Sequence, residues 1–448
     1  MMQNGYMPYK DSFDHKGPVL YLLNYFGNMI SYYRGIWIIE VISLTITVYC
    51  LYRIARLKCG KLSSVIVVLL ATTLLFRFFE GGNLTEEYAM PCIALSIFVF
   101  LDYLINNKIS NMRLLVAGAS LGTVLMLRPN MIAVWLVFCF FVLAKLVTEK
   151  KYSELMRLGC LFSIGVIAVV GPIILWLGLK HDLIYFWNDY IVFNKLYSSS
   201  RSGENLFPKR WSAFIDFASS FVFLASIVSI ISCTKEKRTR SINIVYLIYM
   251  LVNVALIAMA GITFGHYGMV LVPSVIYPLA LFFERIEKIE QKNIKSAFLL
   301  VVSIYVFSTI IIPEWDDNVI RDIPVRYMAR EEREIDSDWD MNCILHCINQ
   351  YVDKDETISV YGNYDLVYVL SKRKHATRYS YQFPIGRVMP EILDEYFTQL
   401  ETELPVAIVV AGNQLDERMG YFLKKNGYSS IWSDDPENSQ STAVFVRK

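Results

Sequence analysis

Residues 155–178 read LMRLGCLFSIGVIAVVGPIILWLG, a run of 24 positions whose one charge is Arg157. A helix rises about 1.5 Å per residue, so about 20 apolar residues cross the roughly 30 Å hydrocarbon core of a bilayer. This stretch has the length and the composition to do so. Nine further runs share its character, at 36–55, 62–79, 87–105, 113–127, 130–147, 212–232, 242–260, 264–283 and 296–312. The run at 113–127 is short and Arg128-Pro129 divides it from the next, so those two also read as one broken element. The composition agrees, with 55% hydrophobic and only 19% charged residues. Soluble domains carry about 25% charged residues. The expected class is an α-helical polytopic membrane protein of about ten spans, and nothing at the start resembles a cleavable signal peptide.

The net charge of +2 conceals a division. Residues 1–312 hold 28 Lys and Arg against 17 Asp and Glu, whereas residues 313–448 hold 15 against 24. A basic apolar body therefore carries an acidic tail of ordinary composition. Three domains follow: residues 1–35 as a first outer loop with a membrane-apposed helix, 36–312 as the spanning region, and 313–448 as a separate domain. In the tail, Thr357–Tyr361, Val406–Val410 and Thr442–Val446 are strand-like, and Asn342–Val352, Pro390–Glu401 and Leu415–Asn426 have helical periodicity. A small α/β domain is expected there, without a nucleotide-binding fingerprint.

Orientation follows from the basic residues of the short loops. The loops 53–61, 106–113, 145–157, 233–240 and 284–295 hold 18 Lys and Arg in 50 residues, against 10 in 90 for 1–35, 77–88, 127–131, 179–211 and 261–265. The first set is expected to be cytoplasmic. The N-terminus, the 179–211 loop and the α/β domain are then extracytoplasmic. No basic patch with interleaved aromatics occurs, which excludes nucleic acid as the expected partner.

Charge near a bilayer is costly, so its placement points to function. On the outer side lie Asp11, Asp14, His15 and Lys16, with Glu40 just inside the first span. Arg77, Glu80, Glu86 and Glu87 flank the second outer loop, Arg128 follows the fourth span, Asp216 opens the seventh, and His266-Tyr267 opens the ninth. The span centres are almost free of charge. That is the pattern of a polar cavity at the outer interface, and single members of it also read as interfacial anchors. Cys343, His346 and Cys347 do not make a complete zinc set and read as one helical face. Tyr185, Trp187, Tyr190, Tyr197 and Trp211 read as an interfacial belt, with sugar stacking as the other use.

The stretch Pro8-Tyr9-Lys10-Asp11-Ser12-Phe13-Asp14-His15-Lys16-Gly17-Pro18-Val19-Leu20-Tyr21 resembles the first extracytoplasmic loop of family 39-type GT-C membrane glycosyltransferases. These are the bacterial relatives of protein O-mannosyltransferases and of the lipid A aminoarabinose transferase. Gly17 stands where the family has the first of two prolines. Glu80-Gly81-Gly82-Asn83-Leu84-Thr85-Glu86-Glu87-Tyr88 and Phe264-Gly265-His266-Tyr267 are similar to further family stretches. The resemblance covers residues 8 to about 312.

It implies a GT-C-like fold that works at the outer face of the membrane within cell-envelope glycan biosynthesis. The sugar would leave a polyprenyl-phosphate donor for a hydroxyl on a glycan, lipid or protein, with membrane lipid as the remaining partner. An attacking hydroxyl must surrender its proton to a base, and the departing phosphate needs a cation or a divalent metal beside it. Asp11 and Asp14 are the expected catalytic acids. Lys16, then His15, Arg128 and His266, are expected on the donor phosphate. Glu80, Glu86, Glu87 and Tyr267 are expected on the substrate. Family members place their key acid directly after a first span, and this chain opens within the loop that follows it. A native start upstream of Met1 is therefore expected to supply the catalytic aspartate, with Asp11 and Asp14 beside it or beside a metal. Two other functions compete: a lipid-linked glycan flippase, which needs polar residues at mid-membrane, and a catalytically inactive glycan-binding scaffold.

Overall fold

The computed structural model describes residues 2, 5–31, 34–199, 206–259, 261, 263–316, 339–383, 385–412, 415–435 and 441–447. Residues 200–205 of the expected 179–211 loop and residues 317–338 of the expected 313–448 domain lie outside them. The chain divides into two compact units. One comprises residues 16–176 and 201–320, the other residues 1–15, 177–200 and 321–448.

The first unit is helical. Its helices up to residue 179 are α1 (Pro18–Ile30), α2 (Arg34–Ala55), α3 (Lys61–Thr72), α4 (Leu75–Phe78), α5 (Thr85–Asn106), α6 (Asn111–Leu125), α7 (Ala133–Thr148) and α8 (Tyr152–Leu179), the last running on into the second unit. Each of the ten expected spans overlaps a helix among the described residues. Among the described residues six stretches are long and apolar enough to cross a membrane: Arg34–Ala55, Lys61–Phe78, Thr85–Asn106, Tyr152–Leu179, Arg240–Ala258 and Gly265–Glu287. The expected span at 212–232 is a pair, Leu206–Ala218 and Phe221–Cys233, bent by 84°. Asn111–Leu125, Ala133–Thr148 and Lys295–Val306 are apolar but shorter. Arg128-Pro129 does divide α6 from α7, through a 3-10 turn at Pro129–Met131. The chain is an integral membrane protein of this helical class.

Packing explains which helices sit inside. α5 carries fifteen buried residues along its length, whereas α8 turns Ile164, Ile167, Leu175 and Leu179 outward. Such an apolar outer face is a liability in water and a fit for acyl chains. Without a hydrophobic driving force in lipid, helices associate through small residues that let backbones approach. α6 and α8 do this. A side chain at Gly118 would meet the Phe162 carbonyl oxygen at 2.1 Å, and one at Gly165 the Leu115 carbonyl oxygen at 2.1 Å. Two buried asparagines of the bundle are engaged, as dry surroundings favour. Asn253 donates to the Val270 carbonyl at 3.1 Å, Asn243 to that of Cys233 at 3.0 Å, and the Tyr277 hydroxyl to Asn243 at 3.0 Å.

The second unit contains a five-stranded sheet of β1 (Thr357–Tyr361), β2 (Lys374–His375), β3 (Ala407–Val410), β4 (Tyr428–Ser433) and β5 (Ala443–Arg447), in the order β2-β1-β3-β5-β4. β1 runs parallel to β2 and β3, and β5 antiparallel to β3 and β4. β3 is buried throughout and β1 from its second residue on, which is why both read as continuous β-branched runs. Their side chains alternate faces. Tyr361, Ile408 and Val410 pack with Tyr396, Phe397 and Phe422 of helices Glu391–Glu403 and Glu417–Lys425. Ile358, Val360 and Val409 pack with Ile344 and Ile348 of helix Trp339–Tyr351. This is the expected α/β domain, extended by β2 and β4. Phe13 and Phe193 join its first core, so the loop residues 1–15 and 177–200 belong with the domain. The expected 179–211 loop is largely helical, with helices Leu183–Phe186 and Phe193–Ser199 and a wider π turn at Trp187–Val192.

Candidate functional site

In the helical unit, three chain breaks between spans carry the charged residues. Leu84 is extended before α5, which places Glu86 and Glu87 in the first helical turn, where carboxylates suit the positive end of the helix dipole. Arg128 is extended after α6, and a 3-10 helix at Gly265–Leu271 carries His266 and Tyr267. These elements bring five expected site residues into one connected chain. Arg128 Nη1 donates to Glu86 Oε1 at 2.5 Å, and the Thr85 hydroxyl donates to Glu86 Oε2 at 2.8 Å. The Arg128 guanidinium carbon lies 3.7 Å from the centroid of the Tyr267 ring, a cation–π contact. That ring meets the His266 ring edge-on at 4.7 Å. His266 Nδ1 in turn lies 2.5 Å from Glu80 Oε2, and the Gly265 amide donates to Glu80 Oε1 at 2.7 Å. The hydrogen bond from His266 holds the Glu80 carboxyl below its usual range, with the Gly265 amide adding to it.

Glu87 stands apart from this chain. It is fully buried and shares the Asn83 amide with Glu40 of α2, accepting at 3.1 Å while Glu40 accepts from the other side. Lys16 is placed by backbone. The Val19 amide donates to the Met126 carbonyl at 3.1 Å, and a side chain at Gly17 would meet that same oxygen at 2.1 Å. Glycine therefore fits where the family has proline, and the contact joins the chain next to Lys16 to the chain next to Arg128. Outside the chain of five, Arg77 pairs with Asp216 at 3.1 Å.

The remaining expected residues belong to the α/β unit. Asp11 Oδ2 accepts the Met7 amide at 2.7 Å, and Asp14 Oδ1 accepts the His15 amide at 2.7 Å with His15 Nδ1 3.5 Å away. The His15 ring lies against Phe193 and Tyr197, and its carbonyl accepts from Asn194 at 2.7 Å. The organising residue here is one that the sequence reading missed. Arg378 donates to Asp189 and, at 2.7 Å, to the Tyr9 carbonyl, while the Phe13 amide donates to the Arg378 carbonyl at 2.7 Å. Asp182 accepts the Lys10 amide at 2.9 Å. Burial raises both acids, Asp182 to about 7 against the Lys10 hydrogen bond and Asp189 to about 7 against Arg378. Tyr190 is buried and stacked on Phe186, whereas Trp211 belongs to the helical unit and stacks on Phe207 and Phe214 along Leu206–Ala218.

Among the described residues no three His, Cys, Asp or Glu side chains gather to hold a metal ion. Cys343 and Cys347 are free thiols of helix Trp339–Tyr351.

The sequence profile of the competence-induced protein Ccs4 N-terminal domain matches residues 1–311, well over half of the chain. The chain belongs to this family. The Ccs4 N-terminal match ends within the last helix of the helical unit and leaves the five-stranded sheet outside it. No curated protein matches by sequence. Among solved structures the chain is similar to ArnT from Cupriavidus metallidurans in the apo state, with a TM-score of 0.52 and 11% identity over 98% of this chain and 88% of that one. At that identity the likeness shows the fold, and the fold is GT-C-like as the sequence reading expected.

Proposed function

We propose that this Ccs4-family chain is a membrane glycosyltransferase of family 39 type, which moves a sugar from a polyprenyl-phosphate donor to a hydroxyl on an envelope glycan, lipid or protein. The observation that carries this reading is the run Glu86–Arg128–Tyr267–His266–Glu80, which unites two acids and two bases from three separate chain breaks. The reaction needs a fixed cation for the departing phosphate and a base for the hydroxyl, and a preorganised polar cluster supplies both without reorganising as charge develops. Arg128, gripped by Glu86 and Tyr267, and Lys16, beside the Gly17 contact, are the proposed phosphate residues. Glu80 and Glu86 hold the cluster in shape, and Glu87 with Glu40 fixes the turn at Asn83 that leads into α5. Asp11 and Asp14 shape the first loop through the Met7 and His15 amides.

The basic residues of the short loops support a reading in which this face lies outside a bacterial plasma membrane. A flippase would keep uncommitted polar groups within its spans. Here Asn243 and Asn253 are engaged on backbone carbonyls, which supports transfer over transport. The test is turnover of polyprenyl-phosphate hexose or pentose by the full chain in native membrane vesicles, compared with Lys16→Ala. Loss of turnover in the variant is expected. Full turnover in Lys16→Ala would remove the phosphate role from that residue.

A further inference from the structure

We infer that His266 is the base for the acceptor hydroxyl and that Glu80 is its positioning residue. This rests on the transferase reading above and assigns the base within the chain itself. An imidazole accepts a proton at one nitrogen only when the other carries hydrogen, and a carboxylate at the second nitrogen fixes that tautomer and stabilises the imidazolium that forms. His266 meets the condition. A carboxylate oxygen only accepts, so the 2.5 Å contact with Glu80 Oε2 requires the hydrogen on Nδ1. Nε2 is then the basic nitrogen, and among the described residues it has no hydrogen-bond partner.

Both oxygens of Glu80 are engaged. Its other oxygen accepts the Gly265 amide at 2.7 Å, and a side chain at Gly265 would meet that oxygen at 2.5 Å. The imidazole is held on both sides, stacked on Phe264 at 5.7 Å and edge-on to Tyr267 at 4.7 Å. Its side chain remains 16% exposed, so the ring is fixed yet reachable. Tyr267 also lies under the Arg128 guanidinium, which places the base one ring away from a cation suited to the leaving group.

The step balances. The acceptor oxygen forms a bond to the anomeric carbon as its proton passes to His266 Nε2. The bond from that carbon to the donor phosphate oxygen breaks, and its electron pair leaves with the polyprenyl phosphate. The groups facing the ring are Glu80, Tyr267 and, through Tyr267, Arg128.

Two measurements on the full chain separate this inference from the transferase reading. The first is ¹⁵N NMR of the chain labelled at its 5 histidines, with His266→Gln used for assignment. The Nδ1–H tautomer is expected at His266 and its loss in Glu80→Gln. An Nε2–H tautomer in the wild type would overturn the dyad whatever the activity. The second is release of polyprenyl phosphate from polyprenyl-phosphate hexose or pentose in native vesicles. General-base removal costs roughly 10²–10⁴-fold, so His266→Gln is expected to lose at least about 100-fold in kcat with donor KM little changed. Glu80→Gln should lose less in kcat, again with donor KM little changed, and should be partly rescued by Glu80→Asp. Retention of more than about a tenth of wild-type turnover in His266→Gln, set against that general-base range, would overturn the base role. No turnover in the wild type, with the Nδ1–H tautomer present, would defeat the transferase reading and the base role with it, while leaving the dyad as a structural fact.

Discussion

Arg128 and Glu86 illustrate how little a single residue's sequence context reveals about its worth. The pair is largely enclosed, with Glu86 2% and Arg128 23% exposed. Taking charges out of water is costly, and removing one partner leaves the other uncompensated, typically at about 3–5 kcal/mol. Glu86→Gln and Arg128→Met should each lower the thermal unfolding midpoint clearly, and the double variant should be less destabilised than the sum of the two, because neither charge is then orphaned. Additive losses in detergent-solubilised protein would show that the pair is not coupled. Most of the acids and bases of this cluster were legible in the sequence, since charge at span ends is costly and conspicuous. Their pairing was not, because Glu80 and His266 lie 186 positions apart and only the fold brings them together. Arg378 escaped entirely. It sits in the acidic domain, where an arginine is unremarked, and its partners Tyr9 and Asp189 are remote in the chain.

Helix α6 shows the same limits for elements. Its apolar run was plain, but its contact with α8 depends on Gly118 and Gly165, which look like ordinary residues of apolar runs. Adding bulk where a backbone carbonyl waits at 2.1 Å forces the helices apart. Overpacking of this kind costs about 1–3 kcal/mol, occasionally more. Gly118→Val and Gly165→Val should each destabilise the chain. Gly159→Ala on α8, where nothing lies within 4 Å, should be neutral or mildly stabilising. Equal losses at all three in thermal unfolding would remove the packing explanation. The periodicity of the spans was legible because lipid demands long apolar helices. The 84° bend between Leu206–Ala218 and Phe221–Cys233 was not, because hydropathy reports composition and not direction. Within the α/β domain, β1 and β3 stood out through burial on both faces, whereas the two-residue β2 is too short to leave a pattern.

At the scale of the molecule, the grouping of residues 1–15 and 177–200 with the acidic domain has a consequence for pH. Asp182 is raised to about 7, chiefly by burial. An acid whose folded value is raised holds a proton that the unfolded chain, near the ordinary aspartate value of about 3.9, has already released. Folding is therefore favoured at the acid end of that window, and stability falls as pH rises from about 4 towards 7. Asp182→Asn should flatten this slope in thermal unfolding followed from acid to neutral pH. An unchanged slope would locate the pH response elsewhere, with Asp189 and its Arg378 partner the next group to test. The division of the chain into a basic apolar body and an acidic domain was visible in charge alone, but the assignment of loop segments to the domain required the packing of Phe13 and Phe193.

The most direct test of the central claim is turnover itself. Full-length protein in native membrane vesicles would be given polyprenyl-phosphate hexose or pentose, and released polyprenyl phosphate would be followed for the wild type, Arg128→Ala and Lys16→Ala. The transferase account expects release by the wild type and a loss of at least about 100-fold in Arg128→Ala, the size of effect that a preorganised charge contact carries. Release that is absent from the wild type, or undiminished in Arg128→Ala, would contradict it.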